Sequence, residues 1–195
     1  MAKFRDFDLE RIEKNEEFWL DQCGIKINRD NIIVMGAGNT EFGRGILVPN
    51  ELLAVSHNRP HGFLKSGMEK SFPVSIRGDL DKLITRNVRW PIWNSYLVYF
   101  RDRQEADVEN DGLSADDLEK KEILGINCVE RMIYEWQYNL ETGEHLDISS
   151  ITICSGSRDA DGGVPSVYWD VAHFEVRCYD PSRSLSLLRS RAAAV

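Results

Sequence analysis

The sequence predicts an α+β fold: a mixed or antiparallel sheet of about four to six strands, two main helices on one face, and a C-terminal β-hairpin. Three observations lead there. An amphipathic helix opens the chain over residues 8–23. Residues 92–101 (IWNSYLVYFR) are rich in β-branched and aromatic side chains and read as a central strand. A second amphipathic helix, ending near Leu140, is followed by an apolar strand (LDISSITIC), a Gly/Asp-rich loop (SGSRDADGG) and a long alternating strand (VPSVYWDVAHFEVRCY).

Element by element, Leu9, Ile12, Trp19 and Leu20 fall near one face of the first helix, Asp6 or Asp8 can cap it, and Gly24 ends it. Residues 31–35 form a short apolar strand, 36–45 a glycine-rich loop, and 46–55 a strand broken at Pro49. Residues 58–72, with Pro60, Gly62 and Gly67, read as loop. Pro73 lacks a backbone donor and so precedes a short strand at 74–76. A helical turn follows at 79–84. Residues 36–87 together are expected to be an irregular insertion in a single domain of residues 1–180, with 181–195 as a C-terminal extension. After the central strand comes an acidic run, from Asp102 through Asp107 and Asp111 to Glu122, expected to be a solvated surface, with the lining of a DNA passage as its functional alternative. Ser114 and Asp117 form a capping box opening a helix along which Ile126, Val129, Ile133, Trp136 and Leu140 make one apolar face. Gly143 ends it.

Of 195 residues, 42% are hydrophobic and 29% charged, a make-up that can bury a sizeable core. The formal net charge is -8. Phosphate contact needs a basic surface, so nucleic-acid binding through bulk charge is excluded, although a passage through which DNA slides without sticking is not. No apolar run reaches the length of a membrane span, and Met1-Ala2-Lys3-Phe4 leads into charged sequence instead of a signal peptide.

Each motif that suggests chemistry lacks an essential member. The run from Ile32 to Gly38 opens like a dinucleotide site, but the third glycine position is Glu41 and no helix follows before Pro49. Asp159-Ala160-Asp161-Gly162 opens like a calcium loop, but the sixth and twelfth positions are Val164 and Asp170, so a polar hairpin loop is the better reading. His57 and His61 have helical metal-ligand spacing, but Pro60 stands between them, and a surface loop is expected. Ser155-Gly156-Ser157-Arg158 lacks the glycines of a nucleophile elbow. Cys23, Cys128, Cys154 and Cys178 form no C-x-x-C pair and read as reduced core thiols, with a Cys154–Cys178 bridge across the hairpin as a minor alternative. Trp90, Trp93, Trp136 and Trp169 read as core or interface. No catalytic, cofactor or metal residue is therefore assigned, and the chain is not expected to be an enzyme.

Behind the second helix stand Arg158-Asp159-Ala160-Asp161-Gly162-Gly163, then Trp169, then an alternating strand from Val171 to Tyr179. From Trp93 onward this order resembles the tail-terminator (minor tail protein U-like) family of long-tailed bacteriophages. The resemblance implies a structural virion protein, made in the host cytoplasm. It would form a ring of identical subunits, usually a hexamer, that caps the tail tube and joins it to the head-side connector while DNA passes without specific binding. Another neck, head-completion or tail-tube component is the neighbouring reading. A small ligand-binding protein or enzyme using the 36–45 loop is the reading from a different class, and it requires a pocket lined by Gly36, Gly38, His57 and His61.

On one long strand, Tyr168, Asp170, Ala172, Phe174, Val176 and Cys178 would share a face, and Val167, Trp169, Val171, His173, Glu175, Arg177 and Tyr179 the other. The second face mixes large apolar with charged groups, as interfaces do. Trp169, Val171, His173, Glu175 and Arg177, with Arg158, Asp159 and Asp161 of the loop, are therefore expected to contact neighbours. Residues 182–195 are small, polar and basic apart from Leu185, Leu187 and Leu188. Alone they cannot offset an ordering cost of about 1–2 kcal/mol per residue. They are expected to clasp another subunit, with Leu187 and Leu188 as anchors and Arg183, Arg189 and Arg191 on acidic surface.

Overall fold

The computed structural model describes residues 4–36 and 38–194. Met1–Lys3, Ala37 and Val195, parts of the expected domain, glycine loop and tail, lie outside the described residues. The aromatic and β-branched run becomes β5 (Ser95–Phe100), buried along its whole length. On one side it pairs in parallel with β1 (Ile32–Met35), on the other antiparallel with β2 (Arg44–Val48). Against this sheet packs α1 (Asp6–Cys23), ended by Gly24 in the left-handed conformation. Ile12 and Trp19 face the core as expected, but Leu20 is 56% exposed.

The stretch expected to be irregular is regular over most of its length. After β2 come α2 (Glu51–Val55), α3 (Pro60–Met68), β3 (Val74–Ile76), α4 (Leu80–Leu83) and β4 (Ile84–Asn87). The strand expected at 46–55 is thus half strand, half helix, with Pro49 at the change. Pro60 does not break a helix but opens one: at the first position its missing N–H is no loss and its fixed φ suits the helix. Gly67 lets α3 close on Trp136, since a Cβ there would overlap the indole ring.

The helix expected to run on from Ser114 is two helices, α5 (Ala115–Lys120) and α6 (Cys128–Thr142). Each has its own capping box, Ser114 with Asp117 and Asn127 with Glu130, and the second start signal ends the first helix. Gly143 caps α6 in the left-handed conformation. Asn15 ties α1, β2 and α6 together. Its amide donates to Gly45 O (3.0 Å), and its carbonyl accepts from Leu47 N–H and Gln137 Nε2 (both 2.9 Å). Nearby the Trp19 indole N–H donates to Leu47 O at 2.9 Å.

The closing block adds β6 (Ile151–Ile153), β7 (Ser157–Asp159), β8 (Val164–Asp170), β9 (His173–Tyr179) and β10 (Leu188–Arg189). The second sheet has the order β10-β6-β8-β9-β3, and β4 with β7 makes a small third one. The long alternating strand is in fact a tight hairpin that reverses at Val171 and Ala172. Val171 takes φ 48°, with no glycine to signal the turn. The reversal changes which side chains share a face. Asp170 lies opposite His173, and Trp169 opposite Phe174. The mixed face expected to carry Trp169, His173, Glu175 and Arg177 together therefore does not form: Trp169 shares its face with buried Phe174, across from the other three.

The tail packs on its own chain, which overturns the expected clasp on a neighbour. Leu188 is fully buried and, through β10, pairs in parallel with Ile151 of β6. Ala192 N–H donates to Asp107 Oδ2 (2.7 Å), Ala193 N–H to Leu124 O (2.7 Å), and Ala194 N–H to Tyr99 O (2.9 Å). The ordering cost is offset by these backbone bonds and by one buried arginine, Arg191, which composition alone counts as solvated. Arg189 pairs with Asp111 of the same chain at 2.8 Å, and Arg183 lies over the Tyr179 ring at 4.3 Å. Leu187 stays half exposed.

Candidate functional site

The expected interface residues fall into two groups. One is spent inside the subunit. The Arg158 guanidinium is buried and donates to Ser155 O (2.7 Å), Ser157 O (2.9 Å) and Glu119 Oε2 (3.1 Å). Asp159 Oδ1 accepts from Asp161 N–H (3.0 Å) and Gly163 N–H (2.7 Å), which closes the hairpin loop on itself. Trp169 is half-buried. It meets Phe72 edge-on at 5.9 Å and stacks on His145 at 3.3 Å, whose Nδ1 is 2.8 Å from Glu135 Oε1. Glu175 is buried between His173 Nε2 (3.0 Å) and Arg177 Nε (2.7 Å). Burial alone would raise its carboxyl, but Ser75, Arg177 and His173 outweigh it and hold the group below its ordinary range.

The other group is open. Asp161 is exposed at the loop tip, and Val171 at the hairpin apex is 94% exposed. A second apolar protrusion, not assigned from the sequence, precedes β5: Trp93 is 82% exposed, with Ile92 and Val88 also at the surface. From the sequence, Trp93 falls inside the expected strand 92–101, as core or interface, but the strand begins only at Ser95 and leaves the tryptophan outside it.

The acidic run is only partly the solvated surface expected. Asp107 is buried under Arg101 (3.0 Å) and Ala192 N–H, Asp117 caps α5, and Glu109 pairs with Arg103 (2.9 Å). All four cysteines are free thiols. Cys128 and Cys154 are buried, but Cys178 is exposed and does not belong to the core. In the glycine loop Gly38 is pressed against the Phe7 and Tyr99 rings, and a strand, not a helix, follows.

His57 is exposed in a turn, as expected, but His61 is not on a surface loop. They line one cavity of about 650 Å³, of which neither Gly36 nor Gly38 forms part. His61 lies in the first turn of α3 and is 3% exposed. Its Nδ1 is 2.9 Å from Asp81 Oδ1, and Asp81 also accepts the backbone N–H groups of His61 and Gly62, both at 2.9 Å. Burial pushes the Asp81 carboxyl up, but these hydrogen bonds outweigh it and hold it below the usual carboxylate range. Among the described residues, no three His, Cys, Asp or Glu side chains are grouped to hold a metal ion.

Comparison with protein-family models, curated proteins and solved structures finds no match for this chain.

Proposed function

We propose that the chain is a structural virion protein of a tailed phage at the head–tail junction, most like a tail terminator. It works as a ring of identical subunits that caps the tail tube and meets the head-side connector. The mechanism is surface complementarity, not chemistry. The observation that carries this reading is a pair of apolar side chains presented to solvent on separate projections: Val171 at the hairpin apex and Trp93 ahead of β5. Neither is needed to complete the subunit's own core. A projecting tryptophan is what an interface uses as an anchor, worth about 2 kcal/mol or more when buried at its centre, and Val171 adds apolar area on the other projection. Two different surfaces on one subunit suit a head-to-tail contact, which closes into a ring when the rotation allows. The enzyme alternative has less to support it, because Gly38 is committed to packing and the histidine cavity lies elsewhere.

Light scattering of the full chain tests this. The wild type should form one defined oligomer, and Val171→Asp and Trp93→Ser should lower its mass while leaving circular dichroism unchanged. Normal assembly by both variants would contradict the reading.

A further inference from the structure

Few side-chain polar atoms shut off from solvent lack a hydrogen-bond partner among the described residues, and His61 Nε2 is one of them. It belongs to a side chain that lines two cavities. The Asp81 carboxylate is held in its ionised form and can only accept, so it orients the ring with Nδ1–H toward itself, and the neutral form of that imidazole presents a lone pair at Nε2. The arrangement has a steric requirement as well: a Cβ at Gly62 would lie 3.0 Å from Asp81 Oδ2, so the bare glycine lets the carboxylate reach the helix N–H groups. An oriented imidazole with an idle acceptor is costly unless something donates to it.

His61 forms a wall between the larger cavity and a second one of about 380 Å³, a size that accepts a small ligand. The second cavity is lined by Asn58, Thr85, Arg86, Asn87 and Trp90. Trp90 is half-buried and lies stacked beside the His61 ring, centroids 6.3 Å apart. The lining thus offers an aromatic face, two amides, a hydroxyl and one arginine. Asp81 offsets the arginine, which leaves no excess charge to hold an anion, and a metal ion would lack companion ligands.

We propose that this cavity binds a neutral hydroxylated ring, a monosaccharide or the end of a glycan, with one hydroxyl donating to His61 Nε2. The apolar face of the ring lies on Trp90, and Asn58 and Asn87 meet other hydroxyls. Nε2 is closed to solvent in this structure, so binding requires a side chain of the lining to move. This site is independent of the proposed ring, since it uses neither Val171 nor Trp93.

The test is long-range ¹H–¹⁵N NMR on histidine-labelled full-length protein, titrated with the methyl glycosides of glucose, galactose and N-acetylglucosamine, with adenosine for comparison. The expected result is a His61 protonated on Nδ1. At least one glycoside should shift His61 Nε2 and the Trp90 indole with a single saturating Kd, weakened about tenfold or more in His61→Phe. If that variant does not fold, Asn58→Gly carries the comparison: it removes the amide but tolerates the left-handed backbone at this position (φ 59°), and it should weaken the same titration. A proton found on Nε2, no response to any glycoside, a response to adenosine alone, or unchanged binding in the folded variants would each overturn the proposal.

Discussion

Arg191 donates to Asp147 Oδ1 at 2.7 Å, with both side chains closed off from solvent. Asp147 also takes Arg131 Nη2 (2.8 Å) and Thr152 Oγ1 (2.6 Å), and Arg191 Nη1 and Nη2 donate to Arg103 O and Gln104 O. The segment after β10 is thus fastened to the interior. Removing one partner of such a pair strands a buried charge, so Arg191→Ala should lower stability by about 3–5 kcal/mol. Urea unfolding of the full chain checks this; an unchanged midpoint would mean that the tail is not part of the folded unit.

Acid should unfold the protein, and Asp147 should lead. Burial pushes its carboxyl up, but Arg191 and Arg131 outweigh it and hold it below the ordinary value. Asp81 and Glu175 are lowered in the same sense by their hydrogen bonds, against burial. A lowered folded value means stability that is fully present above the unfolded value of about 4 and lost as pH falls through the folded one. Asp107 has the opposite sign: burial raises it, so its contribution is lost as pH rises through its folded value. With Asp8, Glu109, Asp117 and Asp180 also lowered and only Asp107 raised, the melting temperature should drop steeply below about pH 4, and less steeply in Asp147→Asn, whose starting stability is lower. Equal slopes in the two proteins would remove Asp147 from the account.

Val171 stands at φ 48° without a glycine's freedom. A β-branched residue is strained there, so Val171→Gly should stabilise the isolated subunit by about 1 kcal/mol while weakening assembly. Thermal melts beside sedimentation of the same variant separate the two effects. A variant less stable than wild type would show that the apex is not strained.

Trp169→Ala should behave differently. The ring is wedged between Phe72 and His145, so its loss should cost the fold itself about 3 kcal/mol or more. Differential scanning calorimetry would show this as a lower melting temperature at any protein concentration. An unchanged melt combined with lost assembly would return Trp169 to the surface role first expected of it.

The elements legible in the sequence were those whose signals are local. The helix face of Ile12 and Trp19, the caps at Gly24 and Gly143, the Ser114–Asp117 box, the strand after Pro73 and the run of β5 all follow from neighbours in the chain. What was missed depended on distant partners or on turns without their usual residues. The reversal at Val171 carries no glycine or asparagine, so strict alternation ran through it and inverted one strand's faces. Arg191 reads as solvated until Asp147, 44 positions away in sequence, is placed beside it. His61 reads as loop until Asp81 caps its helix. The exposed Trp93 had no signal that separates a projecting tryptophan from a buried one.

The most direct test of the central claim is electron microscopy of the purified full-length protein together with native mass spectrometry. The account predicts closed rings of one size with an open centre, and a mass equal to a fixed whole number of subunits. A monodisperse monomer at every concentration, with no rings on the grid, would contradict it.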